Sequence, residues 1–340
     1  MTMMWSMIGS SRVTRALLPM LGAMGGLVIG AGDARAQFTR QPPAAAWKDQ
    51  SPHRVGFVGP VGRRVQFLDW GGRGPALVLL HGWNSNAHIF DDIAPKLTGR
   101  FHVVALTLPG FGESDVPRFG YALDAASDVV TSAMDSLKIP HASLAGHSFA
   151  GWILSRMATR HATRIDRMIY LDAAFNLRAS DSIVARRPVP RPALVAPKTR
   201  EDLVRWLRGS FFGTWTPALE AEYRGRSPDE ARRDVMLKPI VNEAERGPEE
   251  WARIKAPVLA ICAMAEVSSE FPWLTPRDSN YATARKYVDA ERRPFQHREC
   301  ARFGRTVPGA RTLELNGHHY IFVVKQPQVV AAITSFLSGK

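Results

Sequence analysis

Residues 143–151 read SLAGHSFAG, from Ser143 to Gly151. An apolar run ends at Ala145, and Gly146, His147 and Ser148 follow before the small residues Ala150 and Gly151. This is the pattern of a strand that reverses sharply into a helix. Gly146 and Ala150 let the two backbones pass closely, and the reversal pushes the side chain of Ser148 into the open. A Ser/Gly-rich loop without chemistry would carry similar letters, so the reading depends on the rest of the chain.

Outward from this stretch, short apolar runs alternate with helical patterns, the signature of a mostly parallel α/β sheet flanked by helices. Strands are expected at residues 64–69 (RVQFLD), 76–80 (ALVLL), 102–106 (HVVAL), 142–145, 168–171 (MIYL), 258–262 (VLAIC) and 312–315 (TLEL). Helices are expected at 123–137, 149–159, 280–303 and 328–337. From Phe175 to Ile254 the rhythm breaks: a Pro- and Arg-rich stretch (RRPVPRPALVAP, 186–197) precedes helical segments carrying Trp206, Phe211, Phe212, Trp215 and Trp251. We read residues 175–254 as a helical cap inserted between two late strands, with the core in two parts, 53–174 and 255–340. Most of those aromatics are expected to form the cap's own core.

A serine nucleophile needs a base, the base needs an orienting acid, and an oxyanion needs two N–H donors. Candidates for each lie at the C-terminal ends of strands, where an open parallel sheet gathers its functional loops. Gly146-His147-Ser148-Phe149-Ala150 resembles the G-x-S-x-G nucleophile elbow of the α/β-hydrolase fold superfamily, with Ala in the last position. His81-Gly82-Trp83 resembles that family's oxyanion loop, and Leu108-Pro109-Gly110-Phe111-Gly112-Glu113-Ser114 its PGxGxS turn. The resemblance covers roughly residues 55–338.

It implies Ser148 as nucleophile and the backbone N–H groups of Trp83 and Phe149 as the oxyanion hole. Of the adjacent His318 and His319, the second fits the family register better as base, because Tyr320-Ile321-Phe322 and Gln326-Pro327 follow it. The acid falls after either of two strands. Asp172 ends MIYL, and Glu266 follows VLAIC in a turn without the usual glycine; Asp172 is favoured slightly and Glu266 stays open. His147 and His88 are expected to be structural.

These parts imply acyl transfer on a small-molecule acyl substrate, with ester or lactone hydrolysis foremost and amides or peptides behind it. Perhydrolases, lyases and ligand-binding proteins share the fold. No cofactor is expected, for no G-x-G-x-x-G follows a strand and no phosphate loop is present. No metal is expected either: nothing near His318-His319 completes a ligand set, and H-E-x-x-H is absent from the chain.

The first residues have a different character. Arg12 and Arg15 precede an apolar run at 16–31, and Ala34-Arg35-Ala36 follows. A basic region, an apolar region and an A-x-A site make a secretory signal peptide, with cleavage expected after Ala36. The run is short and glycine-rich for a retained anchor, so no stable membrane insertion is expected after cleavage. The protein is then periplasmic or secreted, with residues 37–52 as a linker. The chain carries 44 Lys+Arg against 31 Asp+Glu. These charges are scattered with no aromatic-interleaved stripe, so nucleic acid is not expected as a partner. An oxidising compartment permits a bridge between the two cysteines, Cys262 and Cys300. Cys262 lies in an apolar run, however, and free buried thiols are the expectation.

Overall fold

The computed structural model describes residues 49–339 apart from residue 119 and segments 194–198, 227–229 and 246–249. The expected signal peptide, and the expected linker as far as residue 48, lie outside these residues. One sheet holds eight strands in the order β1-β2-β4-β3-β5-β6-β7-β8. They are β1 (Arg54–Val58), β2 (Val65–Gly71), β3 (Ala76–Leu80), β4 (His102–Leu106), β5 (Ala142–His147), β6 (Ile165–Leu171), β7 (Val258–Met264) and β8 (Arg311–Asn316). β1 and β2 join antiparallel, and every pairing from β4 through β8 is parallel. The fold is the expected α/β architecture.

All seven expected strands are present, and β1 is an addition. Its RVGFV residues are largely exposed, so no alternating apolar face marks it as a strand. Its register against β2 is tight. A Cβ on Gly56 would stand 2.4 Å from Phe67 Cζ. β5 and β7, by contrast, are buried at every position and read as continuous apolar runs because helices cover both faces.

Helices α1 (Leu123–Ser136) and α2 (Ala150–Arg160) cover one face, packing Val130, Met134, Ile153 and Met157 with Tyr170 and Phe303. Between β6 and β7 come α3 (Leu177–Ala185), α4 (Arg200–Leu207), α5 (Pro217–Arg224), α6 (Glu230–Met236) and α7 (Lys238–Glu245). No strand interrupts them among the described residues. Their aromatics divide. Phe212 is buried with Tyr320 and Phe322 under the second sheet face, whereas Trp251 belongs to the main core against Phe303. A third cluster joins Ile183 and Val189 to Phe271, Tyr287 and Phe295.

After β7 the single expected helix at 280–303 is two helices, α8 (Tyr281–Tyr287) and α9 (Arg293–Thr306), joined by a π-turn at Val288–Arg292. Pro294, in the first turn of α9, has no N–H to continue the α-helical ladder, which accounts for the widened turn before it. α10 (Gln326–Leu337) closes the second face with Val329, Ile333 and Phe336.

The expectation of free thiols is corrected. Cys262 of β7 and Cys300 of α9 form a disulfide across a Cα–Cα distance of 6.2 Å. α9 packs against β7 with Cys300 facing the strand, a juxtaposition that a sequence separation of 38 residues does not reveal. Among the described residues no helix is long and apolar enough to cross a membrane.

Candidate active site

Ser148 stands at the end of β5 in the left-handed region, with φ +52°. The strain is held from both sides. Its N–H donates to Leu171 O at 3.2 Å, and its carbonyl accepts from Gly151 N at 2.9 Å. The small residues around it are required by contact: a Cβ on Gly146 would lie 2.9 Å from Leu154 Cδ1 and 3.1 Å from Ala150 Cβ. One on Gly151 would lie 2.6 Å from Ala173 O. Alanine at 150 therefore fits where glycine is usual.

Asp172, ending the neighbouring β6, repeats the left-handed conformation at φ +44°. Its own N–H donates to Ile261 O at 2.7 Å, and Oδ1 accepts from Ala263 N at 2.9 Å. Oδ2 is left for His319, whose Nδ1 lies 2.5 Å away. An imidazole that donates from Nδ1 keeps Nε2 free to accept a proton. Glu266, the alternative acid, starts the turn Val267–Glu270 and receives its support there, its N–H donating to Ser269 Oγ at 2.9 Å. The structure thus joins Asp172, and not Glu266, to His319.

His318 lines the same cavity but makes no bond to Asp172. It is sandwiched near Phe211 and Phe212 and stacks on Tyr320 at 5.6 Å. Burial, with the neighbouring His319, pushes its pKa down to about 3. His147 is buried beneath the site. Its Nε2 donates to the backbone carbonyl of His319 at 3.1 Å, so it steadies the histidine that follows β8. Burial and the His319 charge hold it well below the usual histidine range, and it stays neutral.

The loop after β3 reaches the same place. A Cβ on Gly82 would fall 2.8 Å from His147 Nδ1 and 3.1 Å from Ser148 Cβ, so this loop passes directly over the elbow. His81 fastens it. Its Nδ1 donates to Gly82 O at 2.7 Å, while Nε2 accepts from Leu108 N at 2.9 Å. Burial lowers its pKa to about 4, keeping the ring neutral as this double role requires. Among the described residues, the amides of Trp83 and Phe149 meet no protein acceptor. The Trp83 ring meets Phe111 and Phe149 edge-on at 5.3 and 5.2 Å.

Ser148, His319, Asp172, Trp83 and Phe149 line one cavity of about 320 Å³, and Phe211, from the segment between β6 and β7, lines it as well. Cys262 and Cys300 form part of its wall. So do three arginines that sequence reasoning missed, Arg187, Arg191 and Arg292. Burial alone would raise the Glu270 carboxyl, but Arg187 and Arg292 overcome it and hold it at about 2. Arg187 pairs with Glu270, and Arg292 Nε stands 3.4 Å from it. Arg191 lies 4.4 Å above the Phe211 ring, with Nε and Nη1 buried and without a hydrogen-bond partner among the described residues. Burial and repulsion from Arg187 lower its pKa to about 9. Arg187 and Arg191 lie in a Pro/Arg-rich stretch without periodicity, and Arg292 lies far from them in sequence, so no local pattern marks the three. His88 lies outside the cavity, clustered with Asp49, His53 and Asp91.

Comparison with known proteins identifies the family. The chain is 30% identical over 210 residues to the pimeloyl-[acyl-carrier protein] methyl ester esterase of Aeromonas hydrophila, covering 60% of this chain and 76% of that protein. An uncharacterized protein of Mycobacterium tuberculosis is 33% identical over 126 residues, 37% of each chain, so the chain spans little more than a third of that relative's length. In structure it is similar to the carboxylesterase CesB of Bacillus subtilis, with a TM-score of 0.60 at 18% identity, over 85% of this chain and 92% of that one. The profile of the alpha/beta hydrolase family matches residues 77–333, and the chain belongs to that family.

Proposed function

We propose that this alpha/beta hydrolase is a serine hydrolase that cleaves carboxylic esters, lactones included. The observation that carries the reading is the 2.5 Å bond from His319 Nδ1 to Asp172 in the cavity that Ser148 lines. His319 Nε2 takes the proton of Ser148 as Oγ attacks the acyl carbon. The tetrahedral oxyanion is received by the amides of Trp83 and Phe149. Asp172 stays ionised and stabilises the imidazolium. His319 then protonates the leaving alcohol, and a water activated in the same way releases the acid. The esterase similarity supports the same reaction class. The test is hydrolysis of p-nitrophenyl esters of graded acyl length. Turnover is expected in the wild type, falling by roughly 10⁴-fold or more in Ser148→Ala. Equal turnover by both proteins would overturn the reading.

The arginines among the lining residues give the substrate its character. Arg191 holds two buried N–H-bearing nitrogens with no acceptor among the described residues, and leaving such donors unpaired is costly. An anionic group on the substrate, a carboxylate foremost, satisfies them by a charge-assisted fork. Arg191→Met is expected to raise KM at least tenfold for a carboxylate-bearing ester while changing it less than twofold for a neutral ester of equal length. An equal change for both substrates rejects this specificity.

Export is part of the reading. The Cys262–Cys300 bond supports it, because disulfides persist in oxidising compartments. The processed protein is expected to begin at Gln37, which N-terminal sequencing checks.

A further inference from the structure

Away from the cavity, four donors converge from two separate segments. Asp49 and His53 precede or begin β1, while His88 and Asp91 sit on and just after the turn Ala87–Phe90 that follows the oxyanion loop. One ligand atom of each lies within 4.8 Å of all the others. The close contacts alternate nitrogen and oxygen around a ring. His53 Nε2 lies 3.0 Å from Asp49 Oδ2 and 3.2 Å from Asp91 Oδ1. His88 Nδ1 lies 3.1 Å from Asp49 Oδ2 and 2.9 Å from Asp91 Oδ2.

Hydrogen bonding accounts for half of this ring, from His53 Nε2 to Asp49 Oδ2 and from His88 Nδ1 to Asp91 Oδ2. These two bonds use the one proton that each ring nitrogen can carry, so the other two short N···O contacts have none. Two carboxylates also share the site, and Asp91, Asp49, His53 and His88 have side chains only 3%, 22%, 4% and 14% exposed. A cation at the centre would take one nitrogen from each ring and one oxygen from each carboxylate. Tetrahedral coordination at about 2.0–2.1 Å implies ligand–ligand edges of about 3.3 Å, near the short contacts of 2.9 to 3.2 Å, in a set whose atoms all lie within 4.8 Å of one another. Outer contacts suit the ligand set at Asp49, whereas the buried His53 Nδ1 has no hydrogen-bond partner among the described residues. Asp49 Oδ1 accepts from Ser51 N at 2.9 Å, and the Ser51 hydroxyl takes the Trp70 indole N–H at 2.8 Å, leaving Asp49 Oδ2 for the metal.

We propose that Asp49, His53, His88 and Asp91 form a structural, four-coordinate site for a divalent transition metal, zinc by its ligand set. Two neutral imidazoles and two carboxylates neutralise the ion, and the closed set leaves no position for catalysis. The site straps the segment before β1 onto the turn that supports the oxyanion loop. The sequence hides it, since the D-x-x-x-H pair at 49–53 and the H-x-x-D pair at 88–91 are far apart and neither lies on a long helix.

The test uses protein purified after expression of the full chain, stripped with EDTA, dialysed and titrated calorimetrically with zinc chloride. One equivalent per chain is expected to bind, with a rise in Tm. His88→Ala and Asp91→Asn should each weaken binding roughly 100-fold or more. Ser148→Ala and His319→Ala should bind as the wild type does, which separates this site from zinc scavenged by the cavity histidines. Cobalt(II) in the wild type gives the intense visible bands of four-coordinate metal, a readout that stands even where the ligand variants fail to fold. No binding, binding that survives His88→Ala, or a six-coordinate cobalt spectrum overturns the proposal.

Discussion

Asp172 and Glu266 both follow strands of one sheet, and the backbone decides between them. Asp172 takes the left-handed conformation at the strand end and receives Ala263 N, which aims its second oxygen at His319. Glu266 spends its position starting a turn. We expect Asp172→Asn to lower kcat by about 10⁴-fold through loss of the imidazole tautomer, with Glu266→Gln close to wild type. Steady-state kinetics on one ester measures both, and the reverse ranking would reject Asp172. Ser148 is legible in the sequence because glycine and alanine spacing reports the close strand–helix contact directly. The acid is not, because side-chain aim depends on neighbouring backbone amides that no local pattern encodes. Arg191 is hidden for the same reason: what makes it notable is that two of its buried nitrogens meet no acceptor among the described residues.

At the level of elements, strands buried on both faces and helices with clear periodicity are readable. β1 is not, since its face is mostly exposed, and the division of α8 from α9 requires weighing Pro294 against an otherwise helical run. The disulfide is the largest unread feature. It ties β7 to α9 across a 38-residue loop. Closing a loop of that size stabilises a fold by about 4 kcal/mol in the chain-entropy description. The Cys262→Ser, Cys300→Ser double variant is expected to lose stability of that order in urea denaturation, and to loosen the cavity wall that both residues line. A loss below about 1 kcal/mol would show that packing of α9 carries the load instead.

The whole molecule should register its buried histidines as a pH dependence. His81 and His318 have folded pKa values lowered to about 4 and about 3, against 6.5 for a free histidine. The unfolded chain binds protons first, so the stability from keeping these rings neutral is present above pH 6.5 and is lost as pH falls toward their folded values. Glu270, lowered to about 2 from 4.5, adds a second loss between those values. Tm is therefore expected to fall steadily from pH 7 to pH 4, with a shallower slope in His318→Leu; an unchanged slope removes His318 from the account. Ser148 and Asp172 are two non-glycine residues held at φ +52° and +44° on adjacent strand ends, each at a cost on the order of 1 kcal/mol. Glycine would relax both sites, so retaining serine and aspartate makes sense only while selection for hydrolysis outweighs the gain in robustness. A descendant released from that selection would drift toward glycine at these two positions, and the pair would then mark a retired enzyme that melts later than its working ancestor.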